Sequence, residues 1–340
     1  MDRKSPLSPS TLHPIRYPLS TLRSTLYATR YTLIILIFLL LIIATLLRNS
    51  VWKDDLFLWQ DVIKKSPHKI RPYINLAGTL LMRNRLDESL SVLFKATEVF
   101  KEEILSGNLY YLRAGLEIYL NFAAIYGTKG DINRAMEFLQ KALETMPDSP
   151  KANYAMAYGL MEKGSLKEAE EYLRTALSLA EDPKAYSLYS ELCERKKRLD
   201  CAIGHLERAL YLEPENTGYL TRLGYLYKTA GRLKDAEKAW LRAVSLGSRE
   251  PEPYINLGSL NYERGKLRSA YRYYQRALEI DPNSYEALVG AGNVIDELGN
   301  LALAKEYYEK AMKVAPERKE AYIEYERAIR RREKGLGGRD

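Results

Sequence analysis

The chain is 340 residues long, 46% hydrophobic and 28% charged, with a formal net charge of +8, a composition that excludes a disordered chain. The excess charge sits at the ends: residues 1–68 hold 9 Lys/Arg against 4 Asp/Glu, residues 327–340 hold 6 against 2, and the middle balances 37 against 38. A neutral body argues against a nucleic-acid partner, which needs basic residues gathered on one face, and two cysteines, Cys193 and Cys201, are too few for a disulfide framework.

The first 30 residues include SPLSPSTLHPIRYPLSTL, rich in Pro and Ser, and read as a basic tail or interhelix loop. From Tyr31 to Leu47 the sequence YTLIILIFLLLIIATLL carries no charge over 17 residues, bracketed by Arg30 and Arg48. At the helical rise this is roughly 25 Å, short of a ~30 Å hydrocarbon core by an amount that snorkelling arginines can make up. A signal peptide fits poorly, because 30 residues precede the run and no small-x-small site ends it. A soluble core helix rarely runs so far with only two threonines for polarity. The expectation is a single transmembrane helix over 31–47, with Tyr27, Tyr31, Trp52 and Trp59 in the two interfacial belts. Arg3, Lys4, Arg16, Arg23 and Arg30 on one flank outweigh Arg48, Lys53, Lys64 and Lys65 on the other. The positive-inside rule then puts the N-terminus in the cytoplasm and the rest outside it, as in a bacterial inner-membrane protein.

Beyond residue 70 the sequence repeats. Ala96, Ala142, Ala176, Ala209, Ala243, Ala277 and Ala311 recur at spacings of 46, 34, 33, 34, 34 and 34. Ala135, Ala169, Ala202, Ala236, Ala270 and Ala304 precede them by seven residues, with Ser89 in that place in the first unit. Small residues two turns apart on one helix face mark a seam where helices approach closely. Gly130, Gly164, Gly231, Gly265 and Gly299 fall where a first helix should end. Asp131, Ser165 and Asn300 follow as N-caps of the second helix, Ser165 forming a capping box with Glu168. Pro147, Pro214, Pro282 and Pro316 stop that second helix.

Units such as PEPYINLGSLNYERGKLRSAYRYYQRALEIDPNS (251–284) resemble the tetratricopeptide repeat at nearly every diagnostic place. The resemblance implies an all-α, right-handed solenoid of helical hairpins, here preceded by the membrane helix. The units read as 70–103, 116–149, 150–182, 183–216, 217–250, 251–284 and 285–318, closed by a polar capping helix and basic tail over 319–340. Two units depart from the pattern: Asn84 and Lys197 replace the turn glycine. After the first unit come about 12 extra residues, ILSGNLYYLRAG, with a turn at Ser106, Gly107 and Asn108 and a lengthened helix from Leu109.

The stretch 48–69 keeps repeat phase: Trp52, Trp59, Val62 and Pro67 stand where a second helix puts its entry, packing, seam and stop residues. It reads as the second helix of a partial unit, or as an interfacial helix lying Trp52, Leu56, Trp59 and Ile63 on headgroups. Arg48, Trp52, Leu56, Trp59, Pro67, Arg71 and Asn75 are also similar to the junction before the repeats in multi-span O-mannosyltransferases and their bacterial relatives. That resemblance covers 48–80 and carries no catalytic residue onto this chain. It implies an alternative, an accessory or C-terminal repeat part of a membrane glycosyltransferase.

No nucleophile elbow, phosphate loop or zinc signature stands in supporting context. Asp54-Asp55, Glu102-Glu103 and Glu170-Glu171 are adjacent on helices, diverge, and read as solvated surface rather than acid/base pairs. Cys193 and Cys201 lie one per helix in a single repeat and read as small buried fillers, with a disulfide or metal pair as the alternative. His13, His68 and His205 form no ligand cluster in sequence. No enzyme, cofactor or metal is therefore expected.

Stacked hairpins of this family present a concave face made by the first helices, suited to an extended or helical peptide. Its candidate residues are Arg71, Asn75 and Asn121; Lys151, Tyr154, Tyr158, Glu191, Arg222 and Tyr225; and Asn256, Tyr262, Asn293 and Asp296. Asn75, Asn121 and Asn256 occupy equivalent places, where an amide can bond a peptide backbone or merely satisfy neighbouring helices. Arg71, Asn75, Asn121 and Lys151 are similar to the clamp with which some repeat proteins grip a C-terminal carboxylate. Ala155 replaces its last basic residue. The expected function is a membrane-anchored scaffold for protein or peptide partners, membrane proteins among them.

Overall fold

The computed structural model describes residues 19–105 and 107–336. The tail 1–18, Ser106 and 337–340 lie outside the described residues, as do the side chains of Arg23, Tyr27 and Arg48. Every element among the described residues is an α-helix, and the chain forms two compact units that divide after Ala114.

The first unit begins with α1 (Leu19–Trp52), which is 34 residues long rather than the 17 of the apolar run. Residues 19–30, expected as tail or loop, are therefore helical. The last proline before the run is Pro18, and nothing after it breaks a helix. No residue of Thr29–Leu46 is buried. Thr32 and Thr45 turn their hydroxyls onto the carbonyls of Thr29 and Leu41, so the outward face carries little free polarity. Trp52 ends α1, exposed, and does not enter the next helix as its repeat phase implied. The reason is Asp54, whose extended backbone restarts the chain and whose carboxylate accepts from the Leu56 amide at 2.8 Å.

That restart gives α2 (Asp55–Lys65), which packs Leu56, Trp59 and Ile63 against Leu76 and Leu80 of α3 (Ile70–Met82). Asp54 also pairs with Arg83 at 2.7 Å, tying the start of α2 to the end of α3. Then follow α4 (Leu86–Val99) and the short α5 (Lys101–Leu105). The twenty-residue α6 (Leu109–Thr128) leads into the second unit.

The second unit continues as hairpins. They pair α8 (Pro150–Lys163) with α9 (Leu166–Leu179), α10 (Pro183–Arg195) with α11 (Leu199–Leu212), and α12 (Thr217–Thr229) with α13 (Leu233–Ser245). Next come α14 (Glu252–Glu263) with α15 (Leu267–Ile280), and α16 (Tyr285–Glu297) with α17 (Leu301–Val314). α7 (Ile132–Thr145) precedes α8, and α18 (Glu320–Leu336) closes on α17, burying Ala321 and Ala328. The expected stop prolines stand two residues beyond α7, α11, α15 and α17.

Both alanine series are buried: Ala96, Ala142, Ala209, Ala243, Ala277 and Ala311 are fully covered, as is Ser89, whose hydroxyl donates to the Ala77 carbonyl at 2.7 Å. A second rule governs size within each hairpin. In three units Gly224, Gly258 and Gly292 face Trp240, Tyr274 and Tyr308, and a Cβ on any of them would lie 2.3 to 2.8 Å from the ring. Where alanine or serine takes the glycine's place (Ala77, Ala123, Ala157, Ser190), the opposing residue is Leu93, Leu139, Leu173 or Leu206. Large rings pair with the smallest residue, which leaves them room between the paired helices.

The turn between helices is also constant. Gly130, Gly164, Gly231, Gly265 and Gly299 have φ between 70 and 90°, and in the two irregular units Asn84 and Lys197 adopt φ 57 and 56°. A left-handed lysine is strained by roughly 1–2 kcal/mol, part of which glycine returns through greater unfolded-state freedom. Lys197→Gly is accordingly expected to stabilise the fourth hairpin by about 0.5–1 kcal/mol, read as slower amide exchange in α10 and α11. Asp131 and Asn300 cap α7 and α17 through the amides of Arg134 and Leu303. Ser165, expected in a capping box, makes no side-chain cap bond.

Candidate functional site

In the second unit α6 and α8 flank a trough floored by α7. Leu120, Ala123, Ala124, Gly127 and Thr128 form one wall; Lys151, Tyr154, Ala155, Tyr158, Gly159 and Glu162 form the other; and Ile132, Ala135 and Leu139 lie at its base. Small residues on the inner faces of α6 and α8 hold the trough open, and the tyrosines rim it. Tyr158 is 51% exposed. Burial, with Asp182 nearby, pushes the Tyr154 phenol up, so it stays a neutral hydrogen-bonding group. Lys151 meets Glu117 at 3.2 Å with most of its side chain in solvent.

Lys151, Tyr154 and Tyr158 therefore share one site, and Asn121 stands next to its wall residue Leu120. Asn256 lines a separate depression with Ile255, Asn283, Tyr285 and Glu286. Arg222 is engaged by Glu194 at 2.5 Å, fastening α12 to α10, and Tyr225 on the same helix is 55% exposed. Arg71 and Asn75 belong to the first unit, on α3. Three further candidates are occupied with structure. Glu191 pairs with Arg195 at 2.8 Å, Tyr262 donates to Glu297 at 2.5 Å, and Asn293 accepts the Tyr308 hydroxyl at 2.8 Å.

The asparagines thus divide by role. Asn153 and Asn261 bond backbone carbonyls and Asn293 holds a ring. Among the described residues, the side-chain amides of Asn75, Asn121 and Asn256 make no hydrogen bond to the chain. Sequence reasoning missed the apolar wall of Ala124, Gly127 and Gly159; the signal was there, as small residues on the inner faces of first helices.

Two readings of chemistry-bearing residues need correction. Glu170 is not solvated surface: it is 7% exposed and accepts from Tyr189 at 3.0 Å, Arg174 at 2.9 Å, Arg198 at 3.0 Å and also Lys196. Its neighbour Glu171 is exposed. Cys193 and Cys201 are not independent fillers but form a disulfide across α10 and α11, with Cα atoms 5.8 Å apart. Consecutive repeat helices approach closely at the seam, which brings one cysteine from each within bonding distance.

Residues 128–192, 251–284 and 285–318 match family models described as tetratricopeptide repeat. A TPR repeat-containing protein of Methanocaldococcus jannaschii is 32% identical over 95 residues, covering 28% of this chain and 30% of that protein. The protein O-mannosyl-transferase TMTC1 of Homo sapiens is 24% identical over 147 residues, covering 42% of this chain and 17% of that protein. The chain thus spans less than a third of either relative. Among solved structures, pilF of Pseudomonas aeruginosa superposes with a TM-score of 0.56 at 20% identity, over 64% of this chain and 97% of that one. At that identity the likeness is one of fold.

Proposed function

We propose that this chain, a tetratricopeptide-repeat protein, is a membrane-anchored scaffold that holds a protein or peptide partner in the trough of its second unit. One observation carries the reading: an open apolar channel rimmed by Tyr154 and the exposed Tyr158, with Asn121, whose side-chain amide makes no hydrogen bond among the described residues, adjoining its wall residue Leu120. The floor takes an apolar side chain, and the amide takes a backbone carbonyl or amide of the partner without demanding a sequence. Lys151 adds a cation at the rim, which suits a carboxylate. Among the described residues no side-chain arrangement positions a nucleophile or general base, and the reading is one of binding.

α1 is long and apolar enough to cross a bilayer, and its outward apolar face supports an anchor. Tethering confines the trough to the membrane surface, so a modest affinity for a membrane-bound partner gains from raised effective concentration. The charge asymmetry supports a placement of the repeats outside the cytoplasm, and the Cys193–Cys201 disulfide supports an oxidising compartment. The match to TMTC1 favours a second reading, a repeat part of a membrane glycosyltransferase, in which the trough presents the acceptor protein. A genomic neighbour encoding a multi-span segment that functions with this chain would select that reading.

The test is a random-peptide selection against the full chain in detergent micelles. Binding of the selected peptides is expected to fall about 5- to 30-fold in Tyr158→Ala and in Asn121→Ala, equivalent to about 1–2 kcal/mol each. Thermal melts should stay within about 0.5 kcal/mol of the parent. Peptides that bind both variants as well as the parent would place recognition elsewhere.

A further inference from the structure

We propose that Cys193, Cys201 and His205 form a redox-gated site for a thiophilic divalent cation such as Zn²⁺, open when the two cysteines are thiols and closed when they are a disulfide. Cys201 and His205 are four residues apart on α11 and so share one face of that helix. Cys193 meets them from α10, and the three ligand atoms all lie within 4.8 Å of one another. With Zn–S bonds of about 2.3 Å, two tetrahedral thiolates sit roughly 3.8 Å apart. Small side-chain rotations from the bonded pair reach that separation, with the Cα atoms kept 5.8 Å apart.

The surroundings suit the metal-bound form. The His205 ring stacks on Tyr189 with centroids 3.9 Å apart, and Tyr186 lies parallel at 6.0 Å, so the imidazole is held in position. Arg198 Nη2 stands 3.9 Å from Cys193 Sγ, which places a guanidinium beside the sulfur. Two thiolates, one imidazole and a divalent ion sum to zero charge, which suits a site whose deepest ligand, Cys193, is fully buried. Cys201 and His205 are half-buried and leave an entry path. Glu170, the one buried carboxylate among the described residues, is engaged by four donors, so the fourth coordination place falls to water. Sulfur and nitrogen donors select Zn²⁺ or Co²⁺ over Mg²⁺ and Ca²⁺.

The chemistry balances simply. Metal entry displaces two thiol protons to solvent. Closure by a disulfide oxidant such as oxidised glutathione moves two electrons from the metal-bound dithiolate to the oxidant and takes two protons back from solvent, giving the intramolecular disulfide, two molecules of glutathione and the released ion. This inference is independent of what the trough binds.

The experiment uses the full chain in detergent micelles, reduced under argon and titrated with Co²⁺. One Co²⁺ per chain is expected, with a thiolate-to-cobalt charge-transfer band and tetrahedral d–d absorption; both vanish on adding oxidised glutathione and neither forms with Mg²⁺. Cys193→Ser/Cys201→Ser should abolish the charge-transfer band, and His205→Ala should weaken binding by about tenfold or more, with circular dichroism confirming unchanged helicity. A reduced chain that binds no Co²⁺ stoichiometrically overturns the proposal. So does binding that survives in the double-serine variant or is unaffected by His205→Ala.

Discussion

Gly224→Ala is expected to destabilise the fifth hairpin by about 1–3 kcal/mol or more, and to cost far less in a Trp240→Leu background. An added Cβ would lie 2.3 Å from Trp240 Nε1 and 2.6 Å from its Cδ1. The ring cannot retreat, because Trp240 is fully buried and its Nε1 donates to the Thr221 carbonyl at 3.1 Å. With leucine opposite, the site becomes the alanine–leucine combination that the chain already uses at Ala123 and Leu139 and at Ala157 and Leu173. Trp240→Leu alone should open a cavity and cost about 2–4 kcal/mol, so the two changes partly compensate. Hydrogen exchange of α12 and α13 reads the effect locally, as repeat arrays open hairpin by hairpin. Equal costs for Gly224→Ala in both backgrounds would refute the size-matching rule.

The second large effect concerns Glu170. Burial alone would raise its carboxyl, but donors from Lys196, Arg198 and Tyr189 outweigh it and hold the group down at about 2, against 4.5 for an ordinary glutamate. The folded value lies below the unfolded one, so the stabilisation is fully present above pH 4.5 and is lost as pH falls through about 2. Converted, the shift corresponds to about 3 kcal/mol at neutral pH. Glu170→Gln keeps the shape, removes the charge and leaves Lys196, Arg198 and Arg174 facing one another. It is expected to destabilise the α9–α10–α11 contact by about 3 kcal/mol at pH 7 and to converge on the parent as pH approaches 2. Unfolding curves that stay parallel across that range would show that the network contributes nothing.

The two cases show what the sequence could and could not disclose. The alanine seam was legible because close helix approach demands a small residue at the same place in every turn of the repeat, whatever surrounds it. The left-handed turn was legible at five glycines and hidden at Asn84 and Lys197, where the backbone keeps its shape and the side chain alone departs. Glu170 was misread because its donors Tyr189, Lys196 and Arg198 lie on the next hairpin and its turn, outside any local pattern. Asn293 was placed in the groove by register, yet its partner Tyr308 is decided by the ring packed against Gly292. The Cys193–Cys201–His205 convergence needs two helices in three dimensions; the sequence shows only that Cys201 and His205 share a face.

The length of α1 was hidden for a different reason. The hydropathy pattern marks where apolar residues stop, not where the helix stops, and the polar turns after Leu19 continue it without interruption. What the helix does is the claim on which the rest turns, because without a bilayer the exposed face of Thr29–Leu46 is an aggregation surface.

The most direct test is site-directed spin labelling at Phe38 in the full chain reconstituted into lipid vesicles, with the native cysteines left as their disulfide. A label replacing Phe38 is expected to collide readily with dissolved oxygen and hardly at all with a water-soluble nickel chelate. A control label replacing Lys238 on the exposed face of α13 should show the reverse. Free access of the nickel chelate to position 38, or exclusion of both relaxers from it, would contradict an array held at a membrane by this helix.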